Sequence, residues 1–502
     1  MSVTVLFAQE IYFPFQSTAR LSAYLKSKGH AVRLIIGDEK KVAAAAREIK
    51  PDIIAFSVLT PYRNHMLSCV SALKKAGVRS LLIAGGYDIT FLPEILEHSG
   101  LDAVCRGEGE EPLAELCDRL AAGKDYSDIP NLWVKKDGRI IKNPMRIWAS
   151  DLDALPFDDR DLYLDYDDYF KIIPFTQVLA GRGCPYLCSY CFNHGYRKIY
   201  EAEGSTGYCK LRSVENVIAE LRILKEKYGA RYIFFNDSTL AYNKRWFLQF
   251  LEAYRKEIKL PLSVNAVVRE IDDDIARALK ECGYCALVRL ALETGNEEYR
   301  LKVLKKNITN QQMLEGTGFL RKHGVRYSMA MMFGLPGETV DLAWETIELA
   351  AKMSAKDSVH AVNIFKPFPG LDITEYGVSI GQYRAQDVSA HAVPDALKAR
   401  SGADPSGYKD AALGDRDMCF YQNYRVDPEG QRLLCLSRFS HAAIRVPFLR
   451  PLIRRLINYP DNAFYRFVWW FTEAWLNIRV HAGAPWSFFL KYYLFHSHKK
   501  IR

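Results

Sequence analysis

The sequence predicts an α/β protein: an N-terminal Rossmann-like doubly wound parallel sheet, a partial (β/α)6 TIM-type barrel, and a mainly helical C-terminal region. Three observations support this prediction. Short β-rich runs alternate with helical patterns over residues 1–150, the alternation returns over residues 173–370, and residues 371–502 lose it and become aromatic-rich. Strands separated by helices build parallel sheets covered on both faces. Residues 151–172, rich in Asp and Tyr, are predicted to be the linker.

The first domain is predicted to bind a ligand at the carboxyl ends of its strands, where doubly wound sheets place their sites. Its predicted strands are Val3–Ala8, Val32–Ile36, Ile53–Val58, Leu81–Ala84 and Ala103–Cys105. Its predicted helices are Thr18–Lys28, Val42–Ile49, Arg63–Ala76, Leu92–His98 and Pro112–Ala122. A hairpin of Asn131–Val134 and Arg139–Lys142 follows, because the KKDG between them carries an Asp-Gly turn signal.

The second domain is predicted to gather its reactive groups at the C-terminal ends of six barrel strands. These strands are Thr176–Ala180, Tyr232–Phe235, Leu262–Val267, Leu287–Leu292, Tyr327–Phe333 and Ala361–Phe365. The helices between them are Val214–Tyr228, Arg245–Lys256, Asp273–Cys282, Gln311–His323 and Thr339–Met353. Every notable motif of this domain follows one of these strand ends.

The loop after the first barrel strand carries the most specific motif of the chain. Within Thr176–Arg197, the residues Cys184, Cys188 and Cys191 have a C-x3-C-x2-C spacing. Three thiolates on so short a loop can each hold one iron of a [4Fe-4S] cube and leave the fourth iron without a protein ligand. The alternative is a zinc site closed by His194, although zinc sites use paired cysteine or Cys/His sets and no second pair follows.

Composition and charge limit the class of protein, its cellular location and the partners that can be expected. A content of 49% hydrophobic and 25% charged residues is typical of globular proteins. Eleven irregularly spaced cysteines, with no signal-peptide pattern at the start, indicate reduced thiols and a cytoplasmic location. The net charge of +9 is spread along the chain, so nucleic acid is not expected as a partner. No run reaches the roughly 18 apolar residues of a membrane span.

The cysteine loop resembles that of the radical S-adenosylmethionine (radical SAM) superfamily, and further motifs extend the likeness. They are Asn236-Asp237-Ser238, the ETGNE of residues 293–297, the GLPGET of residues 334–339 and the PFPG of residues 367–370. The resemblance implies that the three cysteines hold the cluster and that SAM is contacted by Tyr190, Phe192, Asn236, Asp237, Arg269 and Glu293. Two alternatives stay open: an Asx N-cap at residues 236–238 and a surface salt bridge for Arg269.

The stretch from Ala84 to Leu113, with its GG, LPE and RGEGE segments, resembles the cobalamin-binding domain that precedes the radical SAM domain in one large class of these enzymes. The resemblance implies cobalamin contacts from three strand-end loops: Ser57, Leu59 and Thr60; Gly85, Gly86 and Tyr87; Arg106, Gly107 and Glu108. The Asp-x-His-x-x-Gly segment of many cobalamin proteins is absent, which argues against histidine ligation of cobalt. A domain that keeps the fold without the cofactor is the alternative.

The resemblance implies a radical mechanism. An external one-electron reductant of the flavodoxin or ferredoxin kind reduces the cluster, and SAM is split to methionine and a 5′-deoxyadenosyl radical. With cobalamin, the favoured function is methylation of an unactivated carbon of a small molecule or lipid. The alternatives are cyclisation or rearrangement, a methylthiotransferase-like activity, and a non-catalytic iron–sulfur protein. No side chain is assigned as catalytic, because the cofactors carry the chemistry.

The C-terminal region ends in two aromatic-rich segments, Phe464–Trp475 and Trp486–Phe495, shortly after the arginines at 445, 450, 454 and 455. We expect a helical cap that packs on the barrel. The alternative is a peripheral membrane contact, with aromatic side chains at the interface and arginines toward anionic lipid.

Overall fold

The computed structural model describes residues 2–148, 151–173, 175–354, 359–383 and 428–468, and Phe471. Its contacts divide the chain into two units. The first unit comprises the residues up to Lys171, Cys191–Tyr208 and the described residues that follow Pro367. The second comprises Ile172–Tyr190, Cys209–Lys366 and the described residues from 428 onward. The domain boundaries given above stay a prediction.

The first unit contains a seven-stranded sheet of order β2-β1-β3-β4-β5-β6-β7, in which β1–β5 run parallel and β6 and β7 antiparallel. Its strands are β1 Thr4–Gln9, β2 Ala31–Ile36, β3 Ile53–Ser57, β4 Leu81–Gly85, β5 Ala103–Cys105, β6 Leu132–Lys136 and β7 Arg139–Lys142. Its helices are α1 Gln16–Ser27, α2 Glu39–Ile49, α3 Arg63–Lys75, α4 Tyr87–Phe91, α5 Glu110–Ala121, α6 Asp161–Leu164, α7 Phe192–Ala202 and α14 Asp372–Ser379.

The five parallel strands predicted from the sequence are confirmed, and their apolar residues form the core of this unit. Leu6, Ile54 and Leu82, on three adjacent strands, are fully buried in one cluster. The hairpin is also confirmed, with Asp137 at a φ of 50° in its turn, and it extends the sheet. The predicted helix Leu92–His98 is wrong. A short α4 is followed by a 3-10 helix, Pro93–Glu97, because proline lacks the N–H that would continue α4.

The second unit contains six parallel strands in the order β15-β14-β13-β12-β11-β8, and this sheet forms the partial barrel. Its strands are β8 Thr176–Val178, β11 Ile233–Phe235, β12 Leu262–Asn265, β13 Cys285–Glu293, β14 Tyr327–Phe333 and β15 Val359–Ile364, beside a two-stranded ribbon of β9 Gly181–Arg182 and β10 Lys210–Leu211. Its helices include α8 Val214–Glu226, α9 Lys244–Glu257, α10 Asp273–Cys282, α11 Glu297–Lys302, α12 Asn310–Lys322 and α13 Val340–Met353.

The C-terminal region is helical where it is described. The helices α15 Pro428–Arg445 and α16 Arg450–Leu456 join the hydrophobic core of the barrel unit through buried Leu436 and Ile453. The Glu429 carboxylate accepts the N–H of Val340 at 2.7 Å, which ties α15 to the start of α13. Within the described residues, no helix combines the length and hydropathy needed to cross a membrane. The segment Trp486–Phe495 lies outside the described residues.

Gly295 sets the closest approach between the loop after β13 and helix α13. A Cβ atom at this position would lie 2.3 Å from the carbonyl oxygen of Glu345, which is helix backbone and cannot rotate away. The Gly295 N–H also donates to Thr346 Oγ1 at 2.8 Å. Any larger residue therefore has to separate the two segments.

Gly295→Ala is expected to destabilise the fold by about 1–3 kcal/mol, the usual cost of overpacking a well-packed site. Gly318→Ala is the control, because its Cβ would meet only a side-chain nitrogen of Arg321 at 3.9 Å. Since alanine favours helix, this control is expected to be neutral or slightly stabilising. Thermal unfolding midpoints of the two variants measure the difference, and equal midpoints would contradict the packing argument.

Candidate active site

The cysteine loop follows β8, the first barrel strand, and its backbone is fixed by side chains from other strands. The Asp237 carboxylate, after β11, accepts the N–H groups of Ala180 and Gly181 at 3.0 and 2.7 Å. Ser189 donates its N–H to the carbonyl of Leu304 at 2.9 Å and its hydroxyl to that of Val303 at 2.7 Å. Both ends of the loop are thus held in place. Cys184 is buried and Cys188 partly buried on the segment between them.

A buried charged group at the end of β13 reaches this loop. The Glu293 carboxylate accepts the hydroxyl of Tyr190 at 3.0 Å and lies 3.6 Å from Lys306 Nζ. Lys306 also donates to the carbonyl of Ala291 at 2.6 Å. Glu293 has a φ of 63°, a left-handed conformation that costs free energy for a residue with a side chain. Strain of this kind, held by an ion pair, is common at functional sites. Sequence reasoning missed Lys306.

A second carboxylate, the partly buried Glu270, supports the middle of the loop and was also missed. It accepts the hydroxyls of Tyr186, at 2.7 Å, and Thr239. Burial raises its pKa. The neighbouring Arg269 donates to the carbonyl of Asn307 at 3.1 Å and stacks on the Tyr186 ring. No ion pair of Arg269 is present in the described part of the chain, so the surface salt bridge is not seen.

The segment Asn236-Asp237-Ser238 does not cap the next helix, which corrects one of the two interpretations offered above. The N-cap of α9 is Asn243, whose side chain accepts the N–H of Trp246 at 3.1 Å. The Asn236 side chain is exposed at the strand end, and the Asp237 carboxylate holds the cysteine loop as described.

In the first unit, Cys191 precedes helix α7. Its sulfur receives the amide N–H of Asn193 at 3.8 Å, the kind of contact that tunes a metal-bound thiolate. The Phe192 ring packs against the rings of Tyr87, Phe91 and Phe368 at 5.4, 5.8 and 4.8 Å.

His194, the residue that would close a zinc site, has its Nε2 3.4 Å from the Asp372 carboxylate. No three His, Cys, Asp or Glu side chains of the described residues converge to hold a single metal ion.

The nine residues predicted to contact cobalamin lie at the carboxyl ends of β3, β4 and β5, as expected. Ser57 shares a hydrogen bond with Ser17, while Leu59 and Tyr87 are exposed apolar side chains. Thr60 begins a 3-10 helix, Thr60–Tyr62. Gly85 ends β4, and the nearest atoms to a Cβ placed there, on Cys105, are 3.5 Å away. This sheet edge therefore offers apolar surface to a flat ligand. The Ser57–Thr60 loop contains no histidine that could ligate cobalt.

At two positions of this set, close packing leaves no room for a side chain. A Cβ on Gly86 would lie 2.6 Å from the carbonyl of Val58, and one on Gly107 would lie 2.2 Å from the Tyr200 hydroxyl of α7. That hydroxyl accepts the N–H of Glu108 at 2.9 Å. Arg106 pairs with Glu203 at 3.2 Å and stacks on Trp133. Helix α7 is therefore fastened to the loop after β5, a contact that the sequence did not indicate.

The loop after β14 is structural. The buried Glu338 carboxylate accepts the N–H groups of Gly334 and Leu335 at 2.6 and 3.2 Å. Burial raises its pKa to about 8. Thr339 caps α13, as predicted.

Two family models match the chain. The radical SAM superfamily model covers residues 178–350, and the B12 binding domain model covers residues 18–117. These spans fall on the barrel and on the wound sheet. The chain therefore contains a radical SAM domain preceded by a B12-binding domain.

Individual relatives agree with this class. An uncharacterized methyltransferase of Pyrococcus horikoshii is 29% identical over 71% of this chain and 78% of its own length. The anaerobic magnesium-protoporphyrin IX monomethyl ester cyclase of Rubrivivax gelatinosus is 22% identical over 71% of this chain and 64% of its own. The solved radical SAM methyltransferase TsrM from Kitasatospora setae has a TM-score of 0.58 at 17% identity, covering 72% of this chain and 73% of that one, and shows a shared fold.

The protein is thus a radical SAM enzyme whose cofactors are a [4Fe-4S] cluster, SAM and cobalamin, with a small-molecule substrate and an external electron donor. The methylthiotransferase alternative is not favoured. Its cluster would need cysteines in the N-terminal domain, and the three there, Cys69, Cys105 and Cys117, are buried within α3, β5 and α5. Burial raises the pKa of each thiol, to about 12 for Cys105 and Cys117.

Proposed function

We propose that this protein is a cobalamin-dependent radical SAM methyltransferase that methylates an unactivated carbon. One observation carries the proposal: the three-cysteine loop on the first barrel strand and the B12-binding sheet occur in the same chain. The name of the relative from Pyrococcus horikoshii supports methyl transfer. The name of the relative from Rubrivivax gelatinosus favours the second candidate, ring closure.

Within the proposed function, the residues have distinct roles. Cys184, Cys188 and Cys191 hold the cluster, which when reduced supplies the electron that splits SAM, and cobalamin, when bound, supplies a methyl carrier. The carboxylate of Glu293 accepts the ammonium group of SAM in a charge-assisted hydrogen bond. Tyr190 and Lys306 orient this carboxylate, and Glu270 orients Tyr186 in the loop.

The other residues proposed to contact SAM or cobalamin lie at the ends of strands, with the exception of Phe192. Asn236, Asp237 and Arg269 lie at the ends of barrel strands beside the loop and would contact SAM, as would Phe192. The loops of Ser57, Leu59, Thr60, Gly85, Gly86, Tyr87, Arg106, Gly107 and Glu108 would contact cobalamin. Exposed Leu59 and Tyr87 favour this, because a corrin ring buries a broad apolar face. A cytoplasmic location remains part of the proposal.

The test of the proposed function is product analysis after reduction of the anaerobically reconstituted protein with SAM and cobalamin. Methyl transfer predicts both 5′-deoxyadenosine and S-adenosylhomocysteine, because one SAM is split and another gives up its methyl group. Ring closure predicts 5′-deoxyadenosine alone. Absence of 5′-deoxyadenosine with an intact cluster would contradict both and favour a non-catalytic iron–sulfur protein.

Alanine at any of Cys184, Cys188 or Cys191 is expected to abolish 5′-deoxyadenosine formation and to lower the bound iron, because a cube with two protein ligands is not retained. Cys117→Ala is the matched control, since this buried thiol lies in helix α5 and not in the cysteine loop. Iron content and visible absorbance measure the effect. Full iron content in a variant with all three cysteines replaced by alanine would contradict their assignment as cluster ligands.

Glu293→Gln is expected to weaken SAM binding by about 10- to 100-fold, the loss of one charge-assisted hydrogen bond. Glu315→Gln on the exposed face of α12 is the control. Because Lys306 would be left unpaired, the double variant Glu293→Gln/Lys306→Met separates loss of binding from loss of fold. Equilibrium dialysis with labelled SAM measures affinity, and unchanged affinity in a folded Glu293→Gln variant would exclude the contact.

We further propose a peripheral membrane contact and a lipid substrate, supported by exposed apolar side chains in the C-terminal region. Phe448, Tyr459 and Phe464 are 80%, 62% and 60% exposed, and Leu452, Phe467 and Phe471 are more than half exposed. Arg454 and Arg455 lie exposed between them in sequence. Aromatic side chains beside arginines fit the interface of an anionic bilayer.

Flotation with anionic vesicles is expected to carry the full-length protein, whereas zwitterionic vesicles carry less of it. Replacing Phe448, Phe464 and Phe467 with serine should reduce flotation about tenfold or more, since each side chain contributes apolar burial. Ile147→Ser, at a side chain 77% exposed in the first unit, is the control. Equal recovery of the triple variant and the wild type would remove the membrane proposal.

A further inference from the structure

The barrel sheet presents a face that is separate from its helix-packed core. Along β13, Val288, Leu290 and Leu292 are buried in the hydrophobic core, so the alternate residues Arg289 and Ala291 face the other side. The same alternation places further side chains on that face from neighbouring strands, namely Phe234, Ser263, Asn265, Ser328 and Ala330. This concave face is therefore polar at several positions.

Arg289 occupies this face without a polar partner. Its guanidinium carbon lies 3.6 Å from the centroid of the Phe234 ring. Its Nε is closed off from solvent and makes no hydrogen bond, and in the described part of the chain Arg289 forms no ion pair. Desolvation lowers its pKa to about 10, so the side chain still carries its charge at neutral pH. A charge partly withdrawn from water without a counter-ion is unfavourable, and stacking on one ring offsets only part of that cost.

Two arginines of the same unit that are fully buried have polar side-chain partners. Arg212 pairs with Glu220 at 2.5 Å, and Arg300 donates to Asn310 Oδ1 at 2.8 Å. Arg289 differs because its neighbours on the face carry no carboxylate: in the strand register it is paired with Asn265 on β12 and Ser328 on β14. The Ser328 hydroxyl makes no hydrogen bond in the described residues. Two polar groups without internal partners thus lie side by side on adjacent strands.

We propose that Arg289 and Ser328 bind an anionic group of the substrate, a carboxylate or a phosphate monoester, at the end of the molecule away from the reacting carbon. This inference rests on the proposed function. Arg289 precedes Glu293 by four residues along β13, a separation of about 13 Å at the rise of a β-strand. A substrate that spans this distance could present its carbon near Glu293, where SAM is proposed to bind, while its anion pairs with Arg289.

The test compares ligands that differ only in charge. Hexanoate, hexyl phosphate and hexanol are titrated into the SAM-loaded, cluster-reconstituted protein, and binding is measured calorimetrically. The wild type is expected to bind the two anions about tenfold more tightly than the alcohol. Arg289→Met should abolish that preference and leave hexanol binding unchanged, and Ser328→Ala should reduce anion affinity several-fold. Arg277→Met, an exposed arginine on α10, should match the wild type.

Two results would overturn the inference. One is equal affinity of the wild type and Arg289→Met for the anions, which includes no anion binding by either protein. The other is loss of SAM affinity in Arg289→Met as large as in Glu293→Gln, because the anion would then be the carboxylate of SAM. A thermal midpoint of Arg289→Met at or above that of the wild type supports a binding role over a structural one. Binding is read without turnover, so failure of the 5′-deoxyadenosine test is distinguishable from failure of this one.

Discussion

The structure depends on holding an irregular loop in one conformation. A loop that presents thiolates to a cluster has no hydrogen-bond ladder of its own, so its backbone groups need partners elsewhere. Here Asp237, after β11, accepts backbone N–H groups of the loop. Glu270, after β12, and Glu293, at the end of β13, accept the hydroxyls of two tyrosines of the loop. The parallel barrel makes this possible because it brings the carboxyl ends of strands distant in sequence to one edge.

The strands of the same sheet carry two kinds of residue. The helix-facing residues are apolar and supply stability, as the buried row of Val288, Leu290 and Leu292 shows. Arg289 and Glu293, on the same strand, are charged and buried or partly buried, which costs stability unless they are paired. Glu293 is paired within the protein, through Lys306, and Arg289 is not. We therefore propose that the charge of Glu293 is compensated within the protein, whereas the charge of Arg289 is compensated by a bound ligand.

Much of this could be predicted from the sequence because it is local. Strands, helices, the Asp-Gly hairpin and the Thr339 cap each follow from a short pattern, and the three-cysteine spacing predicts the cluster loop. Lys306, Glu270 and the Arg289–Phe234 stack could not be predicted, since each depends on contacts between residues distant in the chain. Helix α7 was missed because its aromatic residues, Tyr196 and Tyr200, suit packing on several kinds of surface. The Leu92–His98 error arose where the proline at 93 interrupted an otherwise helical pattern.

Three thiolates are proposed to leave one iron of the cluster open for SAM. Electron paramagnetic resonance of the reduced protein, recorded with and without SAM, distinguishes an open iron from a fully ligated one. We expect a reduced cubane signal whose g-values shift when SAM is added, because SAM binds the iron that lacks a cysteine. A cubane signal that SAM leaves unchanged, in protein that binds SAM, would contradict the account.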